Sequence, residues 1–207
     1  MIYPLLYNGP AQYFARLVRE EEIFLEQCDN YIKQTYRNRC RIIGPNGLLT
    51  LSIPVKRIKG LKSPFREVKV DYDIPWNKIH WKSLVAAYAA SPFFEFFSDD
   101  LHPFYEKRFE FLVDLNLELL EKTLQMMGMD IPLKLTQNFQ AITGEKDPRY
   151  FVHPKLDSRK SDPSFSPQVY HQVFEEKHGF QPNLSILDLL FNEGPEALSV
   201  LKNSLRI

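Results

Sequence analysis

The chain has 207 residues, and its hydrophobic fraction of 44% is enough to build a core and too much for a wholly disordered protein. No apolar run reaches the roughly 20 residues that span a bilayer, and the first residues carry no basic and apolar export signal. We therefore expect one cytoplasmic domain over residues 1–207. The 26 Lys and Arg balance the 26 Asp and Glu, whereas domains that bind duplex nucleic acid are usually basic as a whole, so nucleic acid is disfavoured as a partner.

The positive charge is concentrated in one stretch of the chain. Residues 30–70 hold ten Lys and Arg against a single acidic residue, Glu67, which is a net charge of +9 in an otherwise neutral protein. This asymmetry predicts a basic face that meets an anionic small-molecule ligand.

The first predicted elements are short. A proline opens a helix over residues 10–19, and residues 23–25 form a short strand. Residues 39–43 and 48–53 flank a Gly-Pro-Asn-Gly turn, and because Gly and Asn tolerate positive φ this pattern predicts a β-hairpin. We assign residues 22–71 to one small antiparallel sheet.

Helices dominate the rest of the chain. The clearest is predicted over residues 105–127, where an acidic stripe runs opposite apolar positions and Gly128 provides the C-cap. Ser185 can N-cap another helix. The remaining helices are predicted over residues 76–90, 168–177, 186–192 and 195–204. The fold class is therefore α+β, with a small antiparallel sheet in the N-terminal third and predominantly helical C-terminal two-thirds.

Residues 143–167 form a long polar connection that contains four prolines. Connections of this length without regular structure are usually lids, binding loops or mobile segments. Within it, His153, Pro154 and Lys155 either close over a ligand or form a polar turn.

A basic cluster lies at the start of the predicted hairpin. If residues 39–43 form a strand, Arg39 and Arg41 share one of its faces, and Arg37 joins them if the strand starts earlier. Aligned guanidinium groups bind phosphate or carboxylate through paired hydrogen bonds. The alternative is a solvated strand face that pairs with acidic side chains of a neighbour. The residues assigned to the ligand are Tyr36, Arg37, Asn38 and Arg39.

Cys40 is the candidate nucleophile. The arginines on both sides are expected to lower the pKa of its thiol. Catalysis would also need a base, for which His80 and His171 are the available candidates. The alternative is a buried structural cysteine.

His80 is the candidate acid/base. It lies in the first turns of the helix predicted over residues 76–90, where free backbone amides and the helix dipole favour an anion and lower the pKa of an imidazole. A neutral imidazole suits acid/base catalysis. Trp76 and Tyr36 are candidates to stack on a ring of the ligand. The alternative is a buried tryptophan with a hydrogen-bonded histidine beside it.

Motifs for metals and cofactors are missing from the sequence. The five histidines and two cysteines show no HxxxH, HxH or CxxC spacing, and the chain has no P-loop, GxGxxG, GxSxG or kinase signature. We therefore predict neither a bound metal nor a cofactor.

Several segments carry a family pattern. The most specific are Arg-Asn-Arg at residues 37–39 and Leu-Ser-Ile-Leu-Asp-Leu-Leu-Phe-Asn at residues 184–192. Together with Gly-Pro-Ala-Gln-Tyr-Phe at residues 9–14 and Leu-Ser-Ile-Pro-Val at residues 51–55, they make the chain resemble the WbqC-like family, in the branch found in Bacteroidetes. One departure is the opening, because many members begin with Gln-Pro-x-Tyr-Phe-Pro and this chain does not.

The resemblance implies an association with surface-polysaccharide or O-antigen biosynthesis, in which sugars travel as nucleotide diphosphates, and it implies no particular reaction. Its C-terminal motif contains Asp188 and Asn192, which lie four residues apart on one helical face. They either reach a ligand or brace their own helix.

Three functions are open on this basis. The first is a group transferase that acts on a nucleotide-activated or amino sugar, with Arg37 and Arg39 holding phosphate and His80 as the acid/base. The second is a non-catalytic accessory protein that binds an anionic glycan precursor or an acidic protein partner. The third, single-stranded nucleic-acid binding through Tyr31 and Tyr36, is disfavoured by their five-residue spacing and by the neutral net charge.

Overall fold

A computed structural model of the chain describes residues 1–56, 63–142, 144, 147–156 and 162–206. Short strands, most of them in the N-terminal part, combine with a succession of helices around one hydrophobic core, so the α+β fold class is confirmed. Among the described residues, no helix is both long and apolar enough to cross a membrane.

The first sheet consists of three short parallel strands, β1 (Ile2–Pro4), β2 (Ile23–Glu26) and β5 (Leu133–Leu135), in the order β1-β2-β5. Helix α1 (Ala11–Leu17) connects β1 to β2, as a parallel crossover requires. The prediction that the strand after α1 belongs to one antiparallel sheet over residues 22–71 is therefore wrong. One of its two partners comes from far along the chain, and such pairing leaves no mark in the local pattern.

The second sheet is the predicted hairpin of β3 (Arg39–Gly44) and β4 (Gly47–Ser52), in which Gly44 pairs with Gly47 across a two-residue turn. Gly47 has a φ of +106°, which glycine adopts without strain. Side chains of β3 alternate between two faces, and Cys40 is fully buried on the core face. The hairpin therefore has a core face and an outer face.

Three long helices follow, α2 (Trp76–Tyr88), α3 (Phe94–Glu106) and α4 (Leu112–Met126). The first agrees with its prediction. The helix predicted over residues 105–127 is divided in two, because its first residues belong to the end of α3 and the helix starts again only at Leu112.

The break before α4 has a tertiary cause. Residues 110–112 run beside residues 68–70, where the backbone N–H of Val70 donates to the carbonyl of Glu110 at 3.0 Å and that of Leu112 donates to Val68 at 2.9 Å. This pairing holds the segment extended and overrides its helical pattern.

The C-terminal part contains α5 (Pro148–Phe151), α6 (Glu175–His178), α7 (Ile186–Glu193) and α8 (Ala197–Asn203). Helices α7 and α8 agree with their predictions, and the hydroxyl of Ser185 caps α7. The helix predicted over residues 168–177 is wrong over most of its length, since only its last residues belong to α6.

That segment is not helical because its residues have partners elsewhere. The hydroxyl of Tyr170 and the amide of Gln172 turn inward to the carboxylate of Asp188, at 2.6 and 2.8 Å. The backbone N–H of Gln168 donates to the hydroxyl of Ser204 at 3.1 Å. These contacts leave the segment irregular up to the short helix α6.

The polar connection predicted over residues 143–167 falls partly outside the described residues. The parts that are described hold α5 and are attached to the body of the protein. Asp162 forms an ion pair with Arg16 of α1, and the carbonyl of Pro154 accepts a hydrogen bond from Arg41.

Candidate functional site

The carboxyl ends of β1, β2 and β5 lie at one edge of their sheet because all three strands are parallel, and open α/β sheets bind ligands at this edge. Tyr7, which follows β1, donates its backbone N–H to the carbonyl of Tyr36 at 2.9 Å. The segment that leads into the hairpin is therefore bonded to the chain shortly after β1.

A buried ion cluster fixes α5 at the same edge. The fully buried carboxylate of Glu26 accepts hydrogen bonds from the hydroxyl of Thr136 at 2.8 Å and from the guanidinium of Arg149 at 3.3 Å. Arg149 also donates to both oxygens of Asp147, at 2.9 and 2.6 Å. This cluster was not predicted from the sequence, because Glu26 lies far along the chain from Asp147 and Arg149 and no local pattern connects them.

Arg37 is held by protein groups. Its guanidinium donates to the carboxylate of Asp29 at 2.6 Å and to the carbonyl of Asn30 at 2.7 Å, and it lies 5.1 Å from the centre of the Phe65 ring. With 5% of the residue exposed, this arrangement fits a structural brace better than a phosphate ligand.

Arg39 and Arg41 share the outer face of β3, with Cys40 on the core face between them. Their cross-strand partners on β4, Ser52 and Thr50, are exposed. This face of the hairpin therefore opens to solvent and carries two neighbouring guanidinium groups.

Arg39 has an unsatisfied donor. Within the part of the chain that the structure describes, its buried Nε has no hydrogen-bond partner, and the same holds for the buried hydroxyl of Tyr31. Burial raises the pKa of Tyr31 to about 12, and the positive charge of Arg39 acts in the opposite direction. The hydroxyl thus keeps its proton, and among the described residues neither it nor Nε of Arg39 has an acceptor.

His153 lies in the segment after α5, and the next residue, Pro154, is hydrogen-bonded to Arg41 on the same strand face as Arg39. Burial lowers the pKa of His153, and the positive charges of Lys155 and Arg39 lower it further. The backbone N–H of Lys155 donates to Nδ1 of the imidazole at 3.2 Å, so the neutral ring carries its proton on Nε2 and offers it as a donor. We call Tyr31, Arg39, Arg41 and His153 the basic site.

Arg41 links the hairpin to the segment that carries His153. Its Nη2 donates to the carbonyl of Pro154 at 2.6 Å. Burial raises the pKa of Tyr36, and the charge of Arg41 counteracts this rise. The basic site thus combines residues from before β3, from β3 itself and from the segment after α5.

His80 lies on the core side of the hairpin and is 3% exposed. Its Nδ1 is 2.9 Å from the hydroxyl of Tyr7, and burial lowers the pKa of His80 to about 4, with a small opposing effect of the Ser52 backbone. The ring is therefore neutral, and the cause is burial, whereas the sequence suggests the helix dipole. Among the described residues, no contact joins His80 to Arg37 or Arg39.

Cys40 is fully buried, and burial raises the pKa of its thiol to about 12. The expectation that the flanking arginines lower this pKa is wrong, because strand alternation turns their side chains to the opposite face. Of the two proposed bases, His171 lies on the surface, 3.7 Å from the carboxylate of Glu175.

The remaining predicted ligand residues of the N-terminal half are packed inside the protein. Trp76 is buried against His80, with ring centres 5.1 Å apart. Tyr36 is also buried, and the side-chain amide of Asn38 donates to the carbonyl of Ile53 at 2.9 Å. Trp76 and Asn38 thus support the core around the hairpin.

Asp188 and Asn192 brace their own region. The buried carboxylate of Asp188 accepts hydrogen bonds from the hydroxyls of Tyr88 and Tyr170, at 3.0 and 2.6 Å, and from Gln172. The amide of Asn192 donates to the backbone carbonyl of Asp188 at 2.7 Å. Burial raises the pKa of Asp188 to about 6. Protein groups thus occupy the carboxylate of Asp188 and the amide nitrogen of Asn192, whereas the buried Oδ1 of Asn192 has no hydrogen-bond partner among the described residues.

A surface groove of about 520 Å³ lies elsewhere, between residues 69–73 and 108–110. Its charges are mixed, and Lys69 is already paired with Glu110 at 2.7 Å. The groove therefore has no excess of cations for an anion. Across the described residues, no group of three His, Cys, Asp or Glu side chains could hold a metal ion.

Of the four members of the basic site, the sequence assigns only Arg39 to the ligand. It places Arg41 on the same strand face, and it predicts that His153 is either a closing residue or part of a polar turn. The surplus of positive charge over residues 30–70 points to the hairpin, and the His-Pro-Lys motif in the polar connection points to His153. Only the tertiary structure brings the two together.

The sequence is similar to one family over most of its length. The family described as "WbqC-like protein family" matches residues 7–160 and 147–200. A protein of Mycobacterium tuberculosis (strain ATCC 25618 / H37Rv), named "Uncharacterized protein Rv1507c", is 29% identical over 213 positions, which cover 92% of this chain and 91% of that protein. No solved structure matches the chain. The residues of the basic site fall within the first matched stretch, and the chain belongs to the WbqC-like protein family.

Proposed function

We propose that the protein binds the phosphate of an anionic small molecule at the basic site, and that this molecule is a nucleotide-activated sugar. The observation that carries the proposal is the buried Nε of Arg39, which has no hydrogen-bond partner among the described residues. A buried donor left in this state costs about 1–3 kcal/mol, and an anion within its reach would remove that cost.

The neighbouring groups support a phosphate as the anion. Arg39, the hydroxyl of Tyr31 and Nε2 of His153 are all donors, and Arg41 adds a second positive charge beside them. Phosphate oxygens accept hydrogen bonds in several directions and bind guanidinium groups through paired contacts. A diphosphate offers more of these acceptors than a single carboxylate.

The sugar part of the proposal comes from the family. The resemblance to the Bacteroidetes branch, carried by residues 37–39 and 184–192, implies work on surface polysaccharides, whose sugars are supplied as nucleotide diphosphates. In a transferase, the sugar would move from the phosphate oxygen to a heteroatom of the acceptor, which gives up its proton. The cations of the basic site would stabilise the departing diphosphate.

The test is thermal unfolding of wild type and Arg39→Ala with a panel of nucleotide sugars, acyl-CoA esters and short oligonucleotides. A ligand at 100 times its Kd adds about 2.7 kcal/mol to stability, which raises the Tm by roughly 5–10 °C for a chain of this size. We expect a nucleotide sugar to give this shift with wild type and not with Arg39→Ala.

Arg66→Ala is the matched control. It removes the same charge from the same basic stretch, but the Arg66 side chain is 49% exposed, and its described contacts are a loose ion pair with Glu67 at 3.9 Å and a long hydrogen bond to Sγ of Cys28 at 3.8 Å. The shift should persist in this variant. The absence of any shift in wild type, or an equal loss in both variants, would contradict the proposal.

A non-catalytic accessory protein is the second candidate. The observation in its favour is that the proposed catalytic groups, His80 and Cys40, are buried on the core side of the hairpin. Nδ1 of His153 is also occupied by a backbone N–H. If a nucleotide sugar binds, and no nucleoside diphosphate is released when acceptors are supplied, this function takes precedence over the transferase.

A further inference from the structure

We propose that Arg41 is a positioning residue: its hydrogen bond to Pro154 holds His153 beside Arg39 and so completes the set of donors for the phosphate. The inference rests on the proposed function, because it concerns the same basic site. It assigns to Arg41 a role beyond that of one more positive charge.

The hydrogen bond of Arg41 is the link between the hairpin and residues 152–156 in the described part of the chain. Its Nη2 lies 2.6 Å from the carbonyl oxygen of Pro154. Pro154 is a buried residue. The other hydrogen bonds described for this segment are local. They run from Val152 to Pro148, from His153 to Phe151, and from Leu156 and Lys155 to His153.

The orientation of the His153 ring depends on the same stretch of backbone. Pro154 follows His153 directly, and the N–H of Lys155 fixes Nδ1 as the acceptor of the ring. A shift of the Pro154 carbonyl would therefore move the ring and the backbone N–H that selects its tautomer. Arg41 holds this stretch at the edge where Arg39 lacks an acceptor.

Arg41 could also act on a ligand directly through its charge, and a double-mutant cycle separates the two roles. Binding of inorganic pyrophosphate is measured by calorimetry for wild type, Arg41→Ala, His153→Ala and the double variant. We expect each single change to weaken binding about 10-fold, which is typical of a lost hydrogen bond to a charged group. If Arg41 acts through His153, the double variant should be no more than slightly weaker than either single variant.

Independent effects of the two residues would instead multiply to about 100-fold, and that result would overturn the inference. Arg41→Gln provides a second variant that keeps an amide donor and loses the charge. It should bind pyrophosphate more tightly than Arg41→Ala if the bond to Pro154 matters. Equal affinities of these two variants would count against positioning.

A second measurement needs no ligand. The imidazole of His153 is followed by NMR through a pH titration, with its signal assigned from its loss in His153→Ala. In wild type its pKa should lie below 6.5, because burial and the charges of Lys155 and Arg39 disfavour the imidazolium. In Arg41→Ala the ring should move away from Arg39 and its pKa should rise, whereas Arg66→Ala should leave it unchanged.

The outcomes distinguish this inference from the function on which it rests. If Arg39→Ala abolishes pyrophosphate binding while Arg41 and His153 contribute independently and the titration of His153 is unaltered in Arg41→Ala, positioning is overturned and the proposed function stands. If wild type does not bind pyrophosphate, both are overturned.

Discussion

Two buried side chains, His80 and Asp188, have pKa values displaced in opposite directions. Burial lowers the pKa of His80 from 6.5 to about 4 and raises that of Asp188 from 3.8 to about 6. The physical cause is the same, because desolvation disfavours the charged form, which is the protonated imidazole in one case and the ionised carboxyl in the other.

The two groups therefore act on stability with opposite signs. Between pH 6.5 and 4 the unfolded chain binds a proton at His80 that the native protein does not, so this residue lowers stability as the pH falls. Between pH 6 and 3.8 the native protein holds a proton on Asp188 that the unfolded chain has lost, so that residue raises stability as the pH falls.

Substitution of His80 by asparagine should make the contribution of His80 to the pH dependence of stability measurable. As the pH falls from 6.5 to 4, the free energy of unfolding of His80→Asn should rise relative to wild type by about 2–3 kcal/mol, because the variant no longer has the histidine that favours the unfolded chain in acid. Urea denaturation at the two pH values measures the difference, and the comparison cancels the other titrating groups.

Asp188→Asn is the matched variant for the opposite sign. Its free energy of unfolding should fall relative to wild type as the pH drops from 6 to 4, by a similar amount. If the two variants change in the same direction, at least one of these side chains does not have the burial described here.

At the scale of elements, local signals were sufficient where an element is defined by its own residues. The Gly-Pro-Asn-Gly turn predicted the hairpin, and Ser185 predicted the start of α7. The predicted conformation was wrong where a partner far along the chain decides it. Residues 110 and 111 belong to the predicted helix but pair with residues 68–70, and β2 takes its direction from two partners that a local window cannot show.

The ion cluster of Glu26, Asp147 and Arg149 is the element-scale feature that holds α5 against the sheet. Arg149→Met should remove the cation that pairs with the buried carboxylate of Glu26, and loss of one partner from a buried ion pair typically costs about 3–5 kcal/mol. We expect hydrogen exchange of the amides of α5 and of the following residues to accelerate strongly, while exchange in α4 changes far less.

The control is a double variant that removes charge from both sides. Glu26→Gln combined with Arg149→Met neutralises both members of the Glu26–Arg149 pair and leaves Asp147 as the charged residue of the cluster, and neutral replacements of a buried pair are often tolerated. It should recover part of the lost protection. Equal exchange rates in wild type and in Arg149→Met would mean that the cluster does not hold α5.

At the scale of the whole molecule, the sequence predicted the strand face that carries the basic site but not all of the residues around it. Strand alternation places Arg39 and Arg41 on one face, and it also explains why Cys40 points away from them. Sequence alone could not show that Arg37 and His80 lie away from that face. Arg37 precedes the strand and turns to Asp29, and His80 reaches the hairpin from its core side.

The charge of the whole molecule bears on the remaining function, binding of single-stranded nucleic acid. The net charge of +9 over residues 30–70 is offset by the rest of a neutral chain. Part of it is also neutralised locally, since Arg37 pairs with Asp29 at 2.6 Å and Lys69 pairs with Glu110 at 2.7 Å. Such a distribution favours a compact anion over a long polyanion, which needs a continuous basic track.

The fluorescence anisotropy of a labelled single-stranded oligonucleotide should therefore stay flat at low salt, up to about 10 μM protein, because non-specific nucleic-acid binding depends on many phosphate contacts at once. The same protein sample should bind pyrophosphate by calorimetry, which shows that its basic site is intact. A rise in anisotropy that disappears on going from roughly 50 to 200 mM salt, and that Arg39→Ala reduces, would instead assign the basic site to nucleic acid.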